Sequence, residues 1–233
     1  MQRLHLSNAV LVVLLLFLSS CYSLNLHESA RVLEKGDKTV QFSGSLVGVP
    51  KLFIKGEADA IEGVNLPKVA LNYGFGGGWQ LGFSAGLLNA GINAKYQWLG
   101  DFKSKFAIAN GLNLFANAIV EKRFDLLFNN RGDAIYGIEL PLYTSYHPAE
   151  HLSVYLHSVI TYVRYSPTDE FSEPQFFDTG WYKGVVIGVR LDKTVHMLGR
   201  DVPLIRSFEL SSNSPLIGDA VNICIGGSIG WRF

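Results

Sequence analysis

The chain has 233 residues, 48% hydrophobic and 12% aromatic but only 17% charged, and its 20 basic and 20 acidic side chains cancel to a formal charge of zero. That balance excludes a nucleic-acid-binding protein working through a basic surface, and the hydrophobic content excludes a disordered chain. Charge is scarce beside the roughly 25% of an ordinary soluble domain. Mean hydropathy is +0.19, yet the chain holds only one long apolar run.

That run covers residues 9–18, after a start carrying Arg3 and His5. Ten apolar residues are too few to span a bilayer as a helix, which takes about 20. A basic start, a short apolar stretch and small residues after it form a secretory signal. The segment Leu18-Ser19-Ser20-Cys21 resembles the lipobox of bacterial lipoproteins: a Leu, two small residues, then Cys. The resemblance implies cleavage before Cys21, lipid on Cys21 and, with Tyr22 rather than Asp following, sorting to the outer membrane by the lipoprotein machinery. Residues 1–20 are then a signal peptide and residues 21–37 a lipidated tether. With Cys21 acylated, Cys224 has no intramolecular disulfide partner.

From residue 38 to 233 the dominant period is two, the mark of strands with two different faces. Ten segments show it: 39–49, 67–76, 79–87, 90–99, 105–115, 134–146, 151–165, 181–191, 204–211 and 221–233. The second and ninth carry the weakest patterns, so eight to twelve strands fit. One face of these segments is apolar; the other is mostly Gly, Ser, Asn and Gln. A soluble barrel reverses that arrangement, with charge outside and apolar residues within. The pattern therefore predicts an all-β, transmembrane, antiparallel up-and-down barrel of about ten strands, with lipid outside and a compact polar lumen. A soluble periplasmic barrel tethered by lipid is the alternative architecture.

Aromatic placement supports a membrane barrel. Trp79, Trp98, Trp231, Phe75, Tyr146 and Phe233 fall at the expected periplasmic rim with outward parity. Tyr136, Tyr162 and Trp181 fall at the outer rim, and such girdles fit the headgroup boundary. Arg164, just past Tyr162, is placed to snorkel. Connection lengths mostly alternate short and long, as they do in outer-membrane barrels. The exceptions are a short outer connection at 88–89 and a long periplasmic one at 192–203.

The terminal Gly230-Trp231-Arg232-Phe233, preceded by apolar residues at alternate positions, resembles the closing strand of Gram-negative outer-membrane β-barrels. The resemblance implies a lipid bilayer with lipopolysaccharide as the surroundings and handling by the barrel-assembly machinery.

Five charged residues take inward parity: Lys95, Glu139, Arg190, Glu209 and Arg232. The last three lie on successive strands and predict an ion-paired ladder that fills the lumen, since buried charges need partners. An ion-selective constriction is the alternative. Other motif-like stretches are weak. His147-Pro148-Ala149-Glu150-His151 reads as a turn rather than a metal site, because Pro148 disfavours the helix that a zinc motif needs. His157 and Ser158 are adjacent on a strand and point to opposite faces, so they are no nucleophile–base pair. Gly74-Phe75-Gly76-Gly77-Gly78 reads as a tight hairpin, and Arg131-Gly132-Asp133 as turn chemistry in a loop. No pattern calls for a cofactor. The expectation is a non-catalytic outer-membrane lipoprotein barrel of structural or narrow-pore type. The alternatives are a lipid-modifying barrel enzyme or a binding protein acting through its surface loops.

Overall fold

The computed structural model describes residues 27–48, 62–86, 89–101, 103–119, 133–166, 179–197, 200–216 and 222–233. The expected signal peptide, Cys21 and most of the long connections, including Arg131 and Gly132, lie outside these residues.

Ten strands form one closed antiparallel barrel. They are β1 (Lys38–Gly48), β2 (Glu62–Gly76), β3 (Trp79–Gly86), β4 (Asn89–Leu99), β5 (Phe106–Ile119), β6 (Asp133–Ala149), β7 (Leu152–Ser166), β8 (Gly180–Met197), β9 (Arg200–Pro215) and β10 (Asn222–Arg232). Each pairs with its neighbours in sequence, and β10 returns to β1 with Thr39 opposite Arg232 and Gly48 opposite Ile223. Closure leaves no unpaired edge around the wall. Lys38 and Phe233 exchange both backbone hydrogen bonds at 3.0 and 2.8 Å. Both chain ends of the wall therefore lie on one rim, the terminal rim; Gly48, Gly86, Ile119, Ser166 and Pro215 end their strands on the opposite, loop rim.

The ten predicted segments are all strands, several of them longer than their alternation showed. The largest correction is the connection at 192–203. There β8 and β9 continue pairing as far as Met197 opposite Arg200, which reduces the connection to two residues. This ribbon runs beyond the last pairing of β7 with β8, at Leu152–Leu191, and of β9 with β10, at Leu204–Trp231. Past those points neither face has a wall to pack on, so the one-sided apolar pattern that signals a strand disappears.

The outward positions form an almost continuous apolar surface: Leu81, Phe83, Ile92, Leu112, Leu114, Ile138, Leu140, Leu156, Ile160, Val185, Ile187 and Leu210 are all exposed. The inward face differs from the expected uniformly polar lumen. On β6, β7 and β8 the loop-rim half carries apolar side chains on the inward face as well, interrupted by Glu139 and Thr161. Ile135, Val159, Val163, Tyr182 and Val186 pack inside the barrel with Tyr155 and the partly buried Phe115. Polar residues line the opposite wall, on β1 to β5.

Interior glycines make room for large neighbours. A Cβ on Gly188 would sit 2.4 Å from the Tyr155 ring. A Cβ on Gly82 would meet Asn72 Oδ1 at 2.1 Å and Asn93 Nδ2 at 2.5 Å. Asn72, Gly82, Asn93, Asn113, Glu139 and Thr161 are successive register partners from β2 to β7, so they form one polar row across the lumen wall. The β2–β3 hairpin turns on Gly76, Gly77 and Gly78, with φ of +84°, +61° and +82°, a region glycine enters without steric cost.

Candidate functional site: a lumen closed by the N-terminal segment

Of the expected tether at 21–37, the described residues 27–37 do not run free. From the terminal rim the segment turns into the barrel, and residues 27–33 occupy the lumen. Gly36 N–H donates to Gly74 O at 2.9 Å at the point of turning. Farther in, the segment is neither helix nor strand, so its backbone groups need partners from elsewhere. Barrel side chains supply them. Leu33 N–H donates to Gln80 Oε1 at 3.1 Å, and Val32 N–H to Gln97 Oε1 at 2.9 Å. Ala30 N–H donates to Ser145 Oγ at 3.2 Å, and His27 N–H to Glu209 Oε1 at 2.5 Å. The carbonyl of Ser29 accepts from Lys95 Nζ at 3.1 Å, and that of Glu28 bonds His157 Nε2 at 2.6 Å. These partners come from β3, β4, β6, β7 and β9, so the segment ties separate parts of the wall together.

The Glu28 side chain is the electrostatic centre of this arrangement. Its Oε2 accepts from Lys95 Nζ at 2.6 Å and from Gln80 Nε2 at 3.2 Å. Glu28 and Lys95 are both buried, at 8% and 2% exposure. Lys95 also lies 5.2 Å from the centre of the Tyr143 ring, a cation–π distance. His157 stacks on Tyr155 at 4.7 Å with an interplanar angle of 6°, and the Tyr155 hydroxyl donates to Glu209 Oε1 at 2.7 Å.

The predicted Arg190–Glu209–Arg232 ladder is not formed. Glu209 is opposite Gly188 and Gly226, whereas Arg190 is opposite Ser207 and Arg232 is opposite Thr39 at the rim. The three charges therefore stand at different heights. Each has a local partner instead. Arg190 Nε and Nη2 donate to Asp192 at 2.8 and 3.1 Å. Arg232 pairs with Asp37. Glu209 is met by His27 and Tyr155. Lys95 pairs with Glu28, and Glu139 accepts from Asn113 Nδ2 at 2.9 Å.

The segment divides the lumen. On the loop-rim side lies a cavity of about 120 Å³, with His27 and Glu28 against it and Ser43, Asn93, Asn113 and Glu139 among its walls. On the terminal-rim side lies a vestibule of about 620 Å³, bounded by Arg31, Lys103, Lys105, Arg190, Asp192 and Arg232 among others. At that rim the Ser104 hydroxyl and the N–H groups of Lys103 and Ser104 all donate to Asp101 Oδ1. These bonds hold the Asp101 carboxyl below its usual range. Arg31 Nη2 donates to Ser104 O at 2.5 Å, joining the segment to the same turn.

The remaining sequence candidates fall as follows. Phe75, Trp79, Trp98, Tyr136, Tyr146, Trp181 and Phe233 are exposed; Tyr162 and Trp231 are half-buried on the same outer face. Rings pair along the surface, Trp79 with Tyr96 at 4.8 Å, Phe106 with Tyr146 at 4.8 Å and Tyr162 with Trp181 at 5.2 Å. Tyr96 and Phe106 were not anticipated as part of this set. His147 is buried between Ser145 and Ser153, at 2.7 and 2.8 Å, while His151 is exposed in the turn, so the two histidines do not converge. His157 faces inward and Ser158 outward. Cys224 is buried and not in a disulfide.

No family model matches the chain, and no curated protein matches it. Solved structures similar to it include the translocator domain of the autotransporter NalP from Neisseria meningitidis, with 10% identity and a TM-score of 0.41 over 86% of this chain and 90% of that one. Neisserial surface protein A (NspA) is 13% identical, with a TM-score of 0.37 over 85% of this chain and 100% of that one. The KdgM porin is 10% identical, with a TM-score of 0.34 over 82% of this chain and 97% of that one.

Proposed function

We propose that the protein is an integral outer-membrane barrel without catalytic activity, closed at rest by its own residues 27–33. It serves as a structural element of the envelope and conducts only when that segment leaves the lumen. The observation that carries this reading is the backbone of the segment: the N–H groups of His27, Ala30, Val32 and Leu33 and the carbonyls of Glu28 and Ser29 bond to barrel side chains. A chain that merely linked an anchor to β1 would not need Gln80, Gln97, Lys95, Ser145, His157 and Glu209 turned towards it. Polar groups buried in this way lose about 1–3 kcal/mol each when a partner is removed, so the arrangement favours a seated segment.

Membrane insertion is supported by the exterior. In water, an apolar belt around an entire barrel far exceeds the few hundred Å² that soluble monomers expose. On β7 the outward stretch from Val154 to Tyr162, apolar except for Ser158, spans eight residue steps. At about 3.3 Å per step and a tilt of about 40° this is about 20 Å high, close to the apolar band of outer-membrane barrels. The terminal rim faces the periplasm and the loop rim the exterior, with lipopolysaccharide around the latter.

Export through the signal peptide and acylation of Cys21 complete the reading. Six residue steps separate Cys21 from His27, which gives about 20 Å of extended chain for the lipid to reach a leaflet. Mass spectrometry of the N-terminal peptide tests acylation.

The experiment for the central role is planar-bilayer conductance of the full chain and of a variant lacking residues 27–33. The intact protein is expected to be silent and the variant to conduct. Steady conductance of equal size in both would overturn the closed-lumen reading.

A further inference from the structure

Two cations stand on the outer wall where an apolar surface is expected. Arg164 on β7 and Lys183 on β8 are both exposed and share the outward face with Leu156, Ile160 and Ile187. Neither is paired with a carboxylate among the described residues. They flank the Tyr162–Trp181 ring pair: Trp181 is opposite Tyr162, Lys183 is opposite Ile160, and Arg164 lies two residues beyond Tyr162 towards the loop rim. Across the next pairing Lys183 is opposite Ser214, and Val185 is opposite Ser212. Both serines are half-buried on the outward side of β9.

Lys183 is the unusual member. It lies two residues below Trp181, about 5 Å deeper along a tilted strand. A cation below the aromatic girdle is unfavourable against acyl chains unless an anion meets it there or it snorkels up along the wall. The two Cα positions are about 14 Å apart by register and strand rise, a span that one bisphosphorylated headgroup can bridge. The patch combines two cations, two hydroxyls and two amphipathic rings, which is the chemistry that holds a phosphorylated sugar. It lies at the loop rim, where lipids of the outer leaflet meet the wall.

We infer that Arg164 and Lys183, with Ser212, Ser214 and the Tyr162–Trp181 pair, form a lipid-facing site for the phosphorylated headgroup of an outer-leaflet glycolipid. The inference rests on the outer-membrane reading above. It adds one specific occupant to one stretch of wall, whereas a general lipid environment would contact all ten strands alike.

The test uses the full chain in detergent and native mass spectrometry with three probes: bisphosphorylated lipid A, its dephosphorylated form, and phosphatidylglycerol. Retention of bisphosphorylated lipid A is expected to exceed that of the other two by about tenfold, and to fall about tenfold in Arg164→Gln/Lys183→Gln. Arg206→Gln, an exposed cation on the outward face of β9 towards the other rim, is the control and is expected to retain lipid as the parent does. Equal retention by the double variant overturns the site, and equal retention of phosphatidylglycerol overturns its assignment to a glycolipid. Insertion into vesicles, read by heat-modifiable mobility, is scored separately. A chain that fails to insert contradicts the outer-membrane reading, and one that inserts without discriminating among the probes contradicts only this site.

Discussion

Lys95 Nζ lies 2.6 Å from Glu28 Oε2, and this ion pair joins the N-terminal segment to the barrel wall deep inside the lumen. Sequence places the two residues 67 positions apart. Removing one partner leaves the other charge buried without compensation, which typically costs about 3–5 kcal/mol. Lys95→Met should therefore lower stability by that order in urea titrations of the refolded barrel. Glu28→Met/Lys95→Met should recover most of the loss, because a buried pair replaced by apolar groups of similar size is often neutral. A double variant as unstable as the single one would show that the pair does not seat the segment.

Gly188 provides the space that the Tyr155 ring occupies, with an added Cβ only 2.4 Å away. Gly188→Val should push the ring off Glu209 and His157, at a cost of about 1–3 kcal/mol from overpacking. The same substitution at Gly227, where an added Cβ meets only Ser207 O at 3.5 Å, should cost much less. Comparing urea midpoints of the two variants checks the difference.

Ile187 is opposite Leu156 and Leu210 on the outer wall, and it is 53% exposed. Ile187→Lys should destabilise the protein in vesicles by about 2–4 kcal/mol, the depth-dependent cost of a cation against lipid. A change below 0.5 kcal/mol in urea titrations from vesicles would contradict a lipid-facing wall, since exposed sites in water tolerate such substitutions.

Asp101 gives the rim a pH dependence. Its carboxyl is held below the usual range first by the Ser104 hydroxyl and then by the N–H groups of Lys103 and Ser104. A depressed native pKa means that the contribution is present above the unfolded value of about 3.9 and is lost as the pH falls through the native value. Amide exchange at Lys103 and Ser104 should therefore stay slow at neutral pH and, after correction for intrinsic rates, lose protection in the acid range. Asp101→Asn should show the reduced protection already at neutral pH.

The wall of the barrel was legible in the sequence because one face of each strand meets an apolar surface and the other the lumen. Period two survives wherever that asymmetry holds, as in Ile223 to Phe233. It fades in the ribbon from Asp192 to His196, where no wall lies against either face, and at the loop-rim ends of β6 and β7 the inward Ile135, Val159 and Val163 are apolar where a polar lumen was expected. The segment 27–33 was not legible. His27-Glu28-Ser29-Ala30-Arg31-Val32-Leu33 has no periodicity, and its partners are single polar residues on five strands. The inward parity of Lys95, Glu139, Arg190, Glu209 and Arg232 was visible, but pairing them required heights that only the register supplies. One signal was available: Lys95 is an inward cation with no acid on β3 or β5, so its counter-charge had to come from outside the adjacent wall.

The most direct measurement of the closed lumen is thiol accessibility along the segment. In a Cys21→Ser/Cys224→Ser background, Ser29→Cys places a nearly isosteric thiol at a position 4% exposed, and Lys35→Cys places one at an exposed position. Treated with a bulky maleimide in the folded state, Cys at position 35 should react within minutes, and Cys at position 29 only after unfolding. Equal labelling of both in the folded barrel would show that the segment lies outside the lumen and would contradict the account.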